Sequence, residues 1–328
     1  MKPVPILLFF GLCASLSQFS AAQSSSIAQQ SYPNRPIRLI APSSAGGPVD
    51  VIARTVAQGF SETLGQQIVI DNRAGAAGLI GAELVAKATP DGYTLLFGFS
   101  GPLVIVPQLI DSTNYETLKD FAPVSLTASA PYILLVHPSL PVKSVKELIA
   151  LAKSQPGKLN YASGGNGTGI HMAGELFNIT AGARIVHVPF KGAAPGMTAL
   201  MAGEVDMMFN GLPPTLPHVK SGKLRALAVG GEKRTSLLPD LPTISESGLQ
   251  FNTSGWYGVL APRGTPRTII VKLHAELVRA LNTAAMKERL ATFGVEGIGS
   301  TPEQFASHMR EEWLKWGNVI KTAGLKAK

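Results

Sequence analysis

Two stretches of the chain are built from residue types that grip anions. One is APSSAGGPVD, Ala41 to Asp50, and the other is ASGGNGTGIH, Ala162 to His171. Four of the seven residues from Ser163 to Gly169 are glycine. Each stretch follows a short apolar run and precedes a run of helical periodicity, so each reads as a strand-to-helix junction. The first N–H groups of a helix lack intrahelical acceptors, and the helix dipole places partial positive charge there. Glycine lets the backbone approach a ligand closely and adopt positive φ. Ser43, Ser44, Ser163, Asn166 and Thr168 add side-chain donors among Ala45, Gly46, Gly47, Gly165 and Gly167. The chemistry this offers is anion binding: of a nucleotide phosphate, of an oxyanion formed in a reaction, or of a carboxylate held unchanged.

Motif spacing narrows the choice. A phosphate loop needs G-x-x-x-x-G-K-[ST], and neither junction has the lysine. A dinucleotide fingerprint needs G-x-G-x-x-G; Gly165-Asn166-Gly167 starts one, but position 170 is Ile. There is no G-x-S-x-G elbow and no H-E-x-x-H pair. His171 and Glu175 are spaced i, i+4, the spacing of a local pair on one helix face, and no metal site is expected. Asp50 is placed to cap or polarise the first helix near its N-terminus. Asp206 starts the strand VDMMFN and is expected to face a cleft, accepting from a ligand hydroxyl, an ammonium or a bridging water; the other reading is a loop or capping role. In HVPFKG, His187 to Gly192, Phe190 could wall a pocket and Lys191 could pair with an anion.

The elements that would position these groups are legible from periodicity. PIRLIAP, QQIVIDN and YTLLFGF read as strands, separated by the helical runs PVDVIARTVAQGFSETLG and AAGLIGAELVAKA. Pro48 suits a first helical turn and Gly65 a helix end. This β-α-β-α-β order implies a parallel sheet with helices packed on it. Past FAPVSLTASAP the pattern restarts: strands YILLVHP, LNYAS, RIVHVPF, VDMMFN and LRALAV alternate with helices SVKELIALAKSQPG, GIHMAGELFNITAG and PGMTALMAGE. GWYGVLAP then runs extended, and two helical runs close the chain. Two α/β units joined by two extended crossings make two lobes with a cleft between them. In such sheets ligands bind beyond the carboxyl ends of the strands, which is where both glycine junctions fall.

Composition agrees with a folded α/β chain. The 328 residues suffice for two domains, with 45% hydrophobic and 15% charged residues. MKPVPILLFFGLCASLSQFSAAQ has the basic start, the apolar run and the small-x-small end of a secretory signal, with cleavage expected after Ala22. The apolar run is too short for a membrane span, which needs about 20 residues. Cys13, the only cysteine, lies in this segment, and Leu12 before it is unlike a lipid-attachment site. Cleavage therefore removes disulfide, thiol and Cys–metal chemistry. Residues 23–34 form a polar leader expected to be loosely ordered. The net charge of +8 is scattered with no basic run, which points to no nucleic acid and is compatible with attraction of anionic ligands.

YPNRPIRLIAPSSAGGPVDVIAR, GQQIVIDNRAGAAGLIGAELVAKATPDGYTLLFG, YASGGNGTGIHMAGELF and VHVPFKGAAPGMTALMAGEVDMMFNGLPP follow one another along the chain. Together they resemble the Bug family, extracytoplasmic solute receptors of tripartite tricarboxylate transporters. The pairing of NRAGAAG with PDGYTLL is the most specific part. The resemblance implies an α/β, two-lobed periplasmic binding protein that closes like a flytrap (type II-like), each lobe a mostly parallel sheet flanked by helices. It implies residues 35–130 and 250–328 in lobe 1 and 131–249 in lobe 2. It also implies capture of a small organic carboxylate without catalysis or cofactor, delivery to inner-membrane transporter subunits, and a monomer. Matched residue by residue, the site would comprise Ser43 to Gly47 with Asp50, Ser100, Ser163 to Thr168, Phe190 and Asp206. Two departures bear on the ligand: Ser43-Ser44-Ala45 is smaller and more polar than the family's first loop, and Phe190 stands where Tyr is common. An exported hydrolase or isomerase acting on a small acid, and a ligand-sensing subunit for a signalling partner, are the alternatives.

Overall fold

The computed structural model describes residues 32–325. The expected signal, 1–22, and most of the polar leader lie outside the described residues. The last three leader residues are fixed, contrary to the loose ordering expected of them. The Tyr32 hydroxyl donates to the Gly92 carbonyl at 2.7 Å, and the Tyr32 and Tyr93 rings meet edge-on at 5.1 Å. The Asn34 N–H donates to the Tyr93 hydroxyl at 3.0 Å.

The chain begins β1 (Ile37–Ala41), α1 (Pro48–Leu64), β2 (Ile68–Asn72), α2 (Leu79–Ala86) and β3 (Thr94–Phe99). A π-type turn over Gly101–Ile105, α3 (Val106–Leu109) and α4 (Thr117–Asp120) lead into β4 (Phe121–Val136). Then come α5 (Val145–Ser154), β5 (Asn160–Ser163), α6 (Gly169–Ala181), β6 (Val186–Pro189), α7 (Ala193–Met201) and β7 (Met207–Gly211). They are followed by α8 (Leu212–Lys220), β8 (Arg225–Val229), β9 (Ser254–Pro262), α9 (Arg267–Asn282) and α10 (Ala284–Thr292). The short β10 (Glu296–Gly297) and α11 (Pro302–Thr322) complete the described chain.

Helix boundaries follow their chemistry. Pro48 opens α1, where its missing N–H costs nothing, and Gly65 closes it in the left-handed conformation at φ 72°. Ile52, Val56 and Phe60 are fully buried on one face of that helix. Thr283 interrupts the first C-terminal helical run; its hydroxyl accepts the Met286 N–H and starts a new helix, giving α9 and α10. α8 was not legible, because LPPTLPHVK reads as loop; Pro213 and Pro214 fall in the first turn, where prolines are tolerated.

The fold has two lobes. In one, β1 lies between β2 and β3, all parallel, and β9 is antiparallel to β3. β4 joins this sheet antiparallel to β9 through Phe121–Pro131. The same strand then enters the second lobe, where Tyr132–Val136 pairs antiparallel with β7 and β8. β5 and β6 extend that sheet in parallel with β7. The outer β-α-β units are thus parallel, and the strands between them antiparallel. FAPVSLTASAP, read as a separator, is the first part of β4, bent by register shifts at Pro123/Ser125 and Leu126/Ala128.

Alternation in β3 builds two cores in the first lobe. Leu95 and Phe97 pack with α1 and α9 on one face, and Leu96 packs with α2 and α11 on the other. In the second lobe Ile133 to Val136 are fully buried in succession, a strand covered on both faces. α11 also packs against Met172 of α6, so it touches both lobes.

Candidate functional site

The carboxyl ends of β1, β2 and β3 face those of β5 and β6 across a cleft of about 870 Å³. Four helices begin at its wall. Gly47, Gly78 and Gly192 are the N-caps of α1, α2 and α7, and none has a side-chain cap bond. Thr168 caps α6, its hydroxyl accepting the His171 N–H at 3.3 Å. These four N-caps all line the cleft. No Asp, Glu or His does so among the described residues, and its single lysine is Lys191, exposed at the rim. Tyr132 and Tyr257 also line it; burial raises both hydroxyls far above their ordinary range, so both stay neutral. The cleft is positive because of backbone dipoles rather than side-chain charge, an arrangement that favours an anion.

Of the residues named from sequence, Ser43, Ser44 and Gly47 line the first-lobe wall. Gly165, Asn166, Thr168 and Phe190 line the opposite wall. The Ser43 hydroxyl is buried with no protein partner among the described residues. The lobes touch beside it: a Cβ on Gly192 would stand 3.1 Å from Ser44 Oγ, and one on Gly211 would stand 3.2 Å from Pro48 Cβ.

Other named residues sit behind this surface. Ala45 and Gly46 form the exposed tip of the first loop. Ser100 is buried behind the cleft wall. Ser163 is buried, and its Oγ accepts the Gly165 N–H at 3.0 Å. Gly167 turns its N–H inward to His171 Nδ1, at 3.2 Å. Asp206 does not face the cleft, and the expectation for it is corrected. Its carboxylate accepts the Asn160 N–H at 2.8 Å, at the amino end of β5, the opposite end of the sheet from the ligand loops.

Asp50 acts as a brace for the first loop. Its carboxylate accepts from the Gly46 N–H at 2.9 Å, Arg54 Nε at 3.0 Å and Asn72 Nδ2 at 3.0 Å. Burial pushes its pKa up, but these three donors together outweigh burial and hold it below the usual carboxylate range. A depressed folded pKa adds stability above the unfolded value, and the gain disappears as pH falls through the folded one. Asp50→Ala is therefore expected to melt lower than the parent at pH 7, with the gap closing as pH falls below the ordinary carboxylate range and through the depressed folded pKa. Thermal melts at several pH values check this; a gap that persists at the acid end would contradict it.

Sequence reasoning missed two groups. The first is the loop 73–78 between β2 and α2. Gly75, Ala76, Ala77 and Gly78 have φ of 124°, 45°, 52° and 100°. A left-handed alanine costs about 1–2 kcal/mol, so two in succession are held by their surroundings. A Cβ on Gly78 would stand 3.1 Å from the Pro42 carbonyl oxygen, so the loop wedges between neighbouring strand ends. Its position beyond a strand end was the available signal. The second group is the cleft's apolar wall: Phe99, Val106, Ile110, Tyr132, Trp256 and Tyr257. The last three sit where the chain passes between lobes, and crossing strands form the floor of such a cleft.

Residues 52–325 match the family model described as tripartite tricarboxylate transporter family receptor. The chain is 38% identical over 304 residues to Protein BugT of Bordetella pertussis, covering 92% of this chain and 93% of that one. The fold superposes on R. palustris Rpa4515, solved with adipate, at TM-score 0.86 and 38% identity, over 90% of this chain and 99% of that one. It also superposes on MatC from Rhodopseudomonas palustris, solved with bound malate, at TM-score 0.82 and 34% identity, over 88% and 100%.

Proposed function

Because the chain belongs to the tripartite tricarboxylate transporter receptor family, we propose that it captures a mono- or dicarboxylate with an apolar body and releases it unchanged. It is a solute-binding receptor with the fold of periplasmic binding proteins. No described helix is long and apolar enough to cross a membrane. The reading includes cleavage after Ala22, lobes made of 35–130 with 250–328 and of 131–249, a monomeric receptor, and transporter subunits as the partner. The switch of β4 from β9 to β7 and β8 at Pro131/Tyr132 supports that division.

The observation that carries the reading is four helix N-termini around a cleft that no acid among the described residues lines. One terminus supplies about 0.3–2 kcal/mol toward an anion. A micromolar receptor needs roughly 8 kcal/mol, more than one loop provides. Termini from both lobes, hydrogen bonds to charge at about 1.5–3 kcal/mol each, and water exclusion on closure together reach that value.

The walls select the middle of the ligand. Phe99, Val106, Ile110 and Phe190 carry no hydrogen-bonding groups and Glu312 holds the Trp256 indole N–H, so along this wall polar contact to a ligand falls to the hydroxyls of Tyr132 and Tyr257. Against the side chains other than those two tyrosines, a third carboxylate would lose its water without replacement. The adipate held by the R. palustris relative has an apolar middle of this kind. Calorimetry with the chain from Gln23 is expected to show adipate, or another apolar-bodied acid, bound at least about tenfold more tightly than citrate. A saturating ligand, at 100 times its Kd, is expected to add about 2.7 kcal/mol of stability, with no product formed. Preference for citrate would reject the apolar-body reading, and turnover would reject the receptor reading in favour of an enzyme.

A further inference from the structure

Behind the second glycine loop lies a buried polar cluster that the binding surface does not use. From β5, Tyr161 and Ser163 point into it; from α6, His171 and Glu175; from β6, His187. The two histidine rings pack with a 32° tilt and centroids 4.0 Å apart, and Tyr161 stacks on His187 at 4.9 Å. Ser163 Oγ meets His187 Nε2 at 2.6 Å, and the Tyr161 hydroxyl donates to Glu175 Oε1 at 2.6 Å. His171 Nε2 is 4.0 Å from the same carboxylate oxygen.

Two bonds tie this cluster to the loop that lines the cleft. Ser163 Oγ accepts the Gly165 N–H at 3.0 Å, and His171 Nδ1 accepts the Gly167 N–H at 3.2 Å. An imidazole nitrogen accepts only when it carries no proton, so this bond requires neutral His171 with its proton on Nε2. We propose that His171 is a positioning residue: by accepting the Gly167 N–H at Nδ1 it holds the glycine loop in its ligand-binding form, and a proton on Nδ1 releases the loop.

The surroundings keep that nitrogen free. Burial, and next the neighbouring His187, lower the His171 pKa to about 3; burial lowers His187 to about 4. The one acid facing the pair is Glu175, whose own pKa burial raises, with Tyr161 donating to it. An ordinary histidine would titrate near 6.5 and would loosen the loop around neutral pH. Here a folded pKa depressed by burial leaves the loop intact from neutral pH down to the acid range.

The carboxylate assignment is not needed to test this, although the expected loss of affinity rests on it. Hydrogen exchange at the Gly167 amide would be compared in the parent chain, His171→Asn and His171→Leu. Asn places an oxygen near the Nδ1 position, whereas Leu fills the space without an acceptor. His171→Leu is expected to exchange about tenfold faster at Gly167, with β5 and the rest of α6 still protected, and His171→Asn to stay near the parent. Carbon-13 spectra of the imidazoles are expected to show His171 as the Nε2–H tautomer down to pH 5. Equal protection in all three chains, equal loss in both variants, or titration of His171 near pH 6.5 would overturn the proposal. With adipate as probe, affinity is expected to follow the exchange order. A parent chain that binds no adipate would count against the proposed ligand and leave the loop assignment to the exchange data.

Discussion

Gly167→Val is expected to lower carboxylate affinity about 100-fold or more, equivalent to about 2.7 kcal/mol. Gly167 has φ of 76°, where a β-branched residue is strongly disfavoured. A Cβ there would stand 2.6 Å from Val106 Cγ2 and 3.1 Å from Leu109 Cδ1, both on the opposite lobe. The substitution therefore distorts the loop and also wedges the lobes apart, and both changes weaken ligand closure. Gly222→Val is the matched control. Its φ is 72°, and nothing lies within 4 Å of its Cβ position, remote from the cleft. It carries a similar backbone cost without the interlobe clash, so it is expected to lower the melting temperature and leave affinity alone. Calorimetry with adipate and a thermal melt on each variant separate the two effects. Parent-like affinity in Gly167→Val would remove the second glycine loop from the site.

Glu312→Ala is expected to be strongly destabilising although the residue lies outside the cleft. Glu312 lies on α11, 9% exposed, and its Oε2 accepts from two indoles: Trp256 Nε1 at 2.9 Å and Trp316 Nε1 at 2.8 Å. Lys315 Nζ holds the other oxygen at 3.0 Å. Alanine leaves two buried donors without an acceptor, at about 1–3 kcal/mol each, so roughly 2–6 kcal/mol in all. Burial pushes this carboxyl up, but Lys315 and the two indoles outweigh burial and hold its pKa below the ordinary value. The stabilisation is therefore present at neutral pH and fades as pH falls through the depressed folded pKa. Glu312→Gln keeps an acceptor and is expected to lose less. Denaturant unfolding followed by tryptophan fluorescence at pH 7 measures both. A Glu312→Ala change under about 1 kcal/mol would mean that water replaces the carboxylate and that α11 is held by its apolar contacts alone.

The parts of the site that could be read in advance share a local cause. A strand, a glycine-rich turn and a helix start are each specified within a dozen residues, so both anion-binding junctions were visible as sequence. Thr168 was expected to offer its hydroxyl to the ligand; in the fold that hydroxyl accepts the His171 N–H as the cap of α6. Phe190 and Asn166 were placed in the cleft because they adjoin a strand end. Asp206 shows the limit of such reasoning. A carboxylate beside a strand can serve either end of the sheet, and sequence does not say which; here it bonds to the Asn160 N–H at the wrong end. Asp50, Ser163 and Gly167 were expected among the ligand contacts, yet their polar groups bond within the loops. That distinction depends on side-chain direction, which spacing does not encode.

The fold class, the order of α/β units and the anionic character of the ligand were all present in the linear chain, because periodicity, capping and glycine placement act over short range. Tertiary structure decided which strand ends face one another, that β4 is a single strand serving both sheets, and that Trp256 and Tyr257 join Phe99 and Val106 as one apolar wall. It also decided that His171 of α6 and His187 of β6 pack together behind the second glycine loop. These contacts join residues far apart in sequence, and each forms only when lobe packing removes both partners from water. No local pattern records that burial, so the glycine junctions were legible in the chain while the cleft's apolar wall was not.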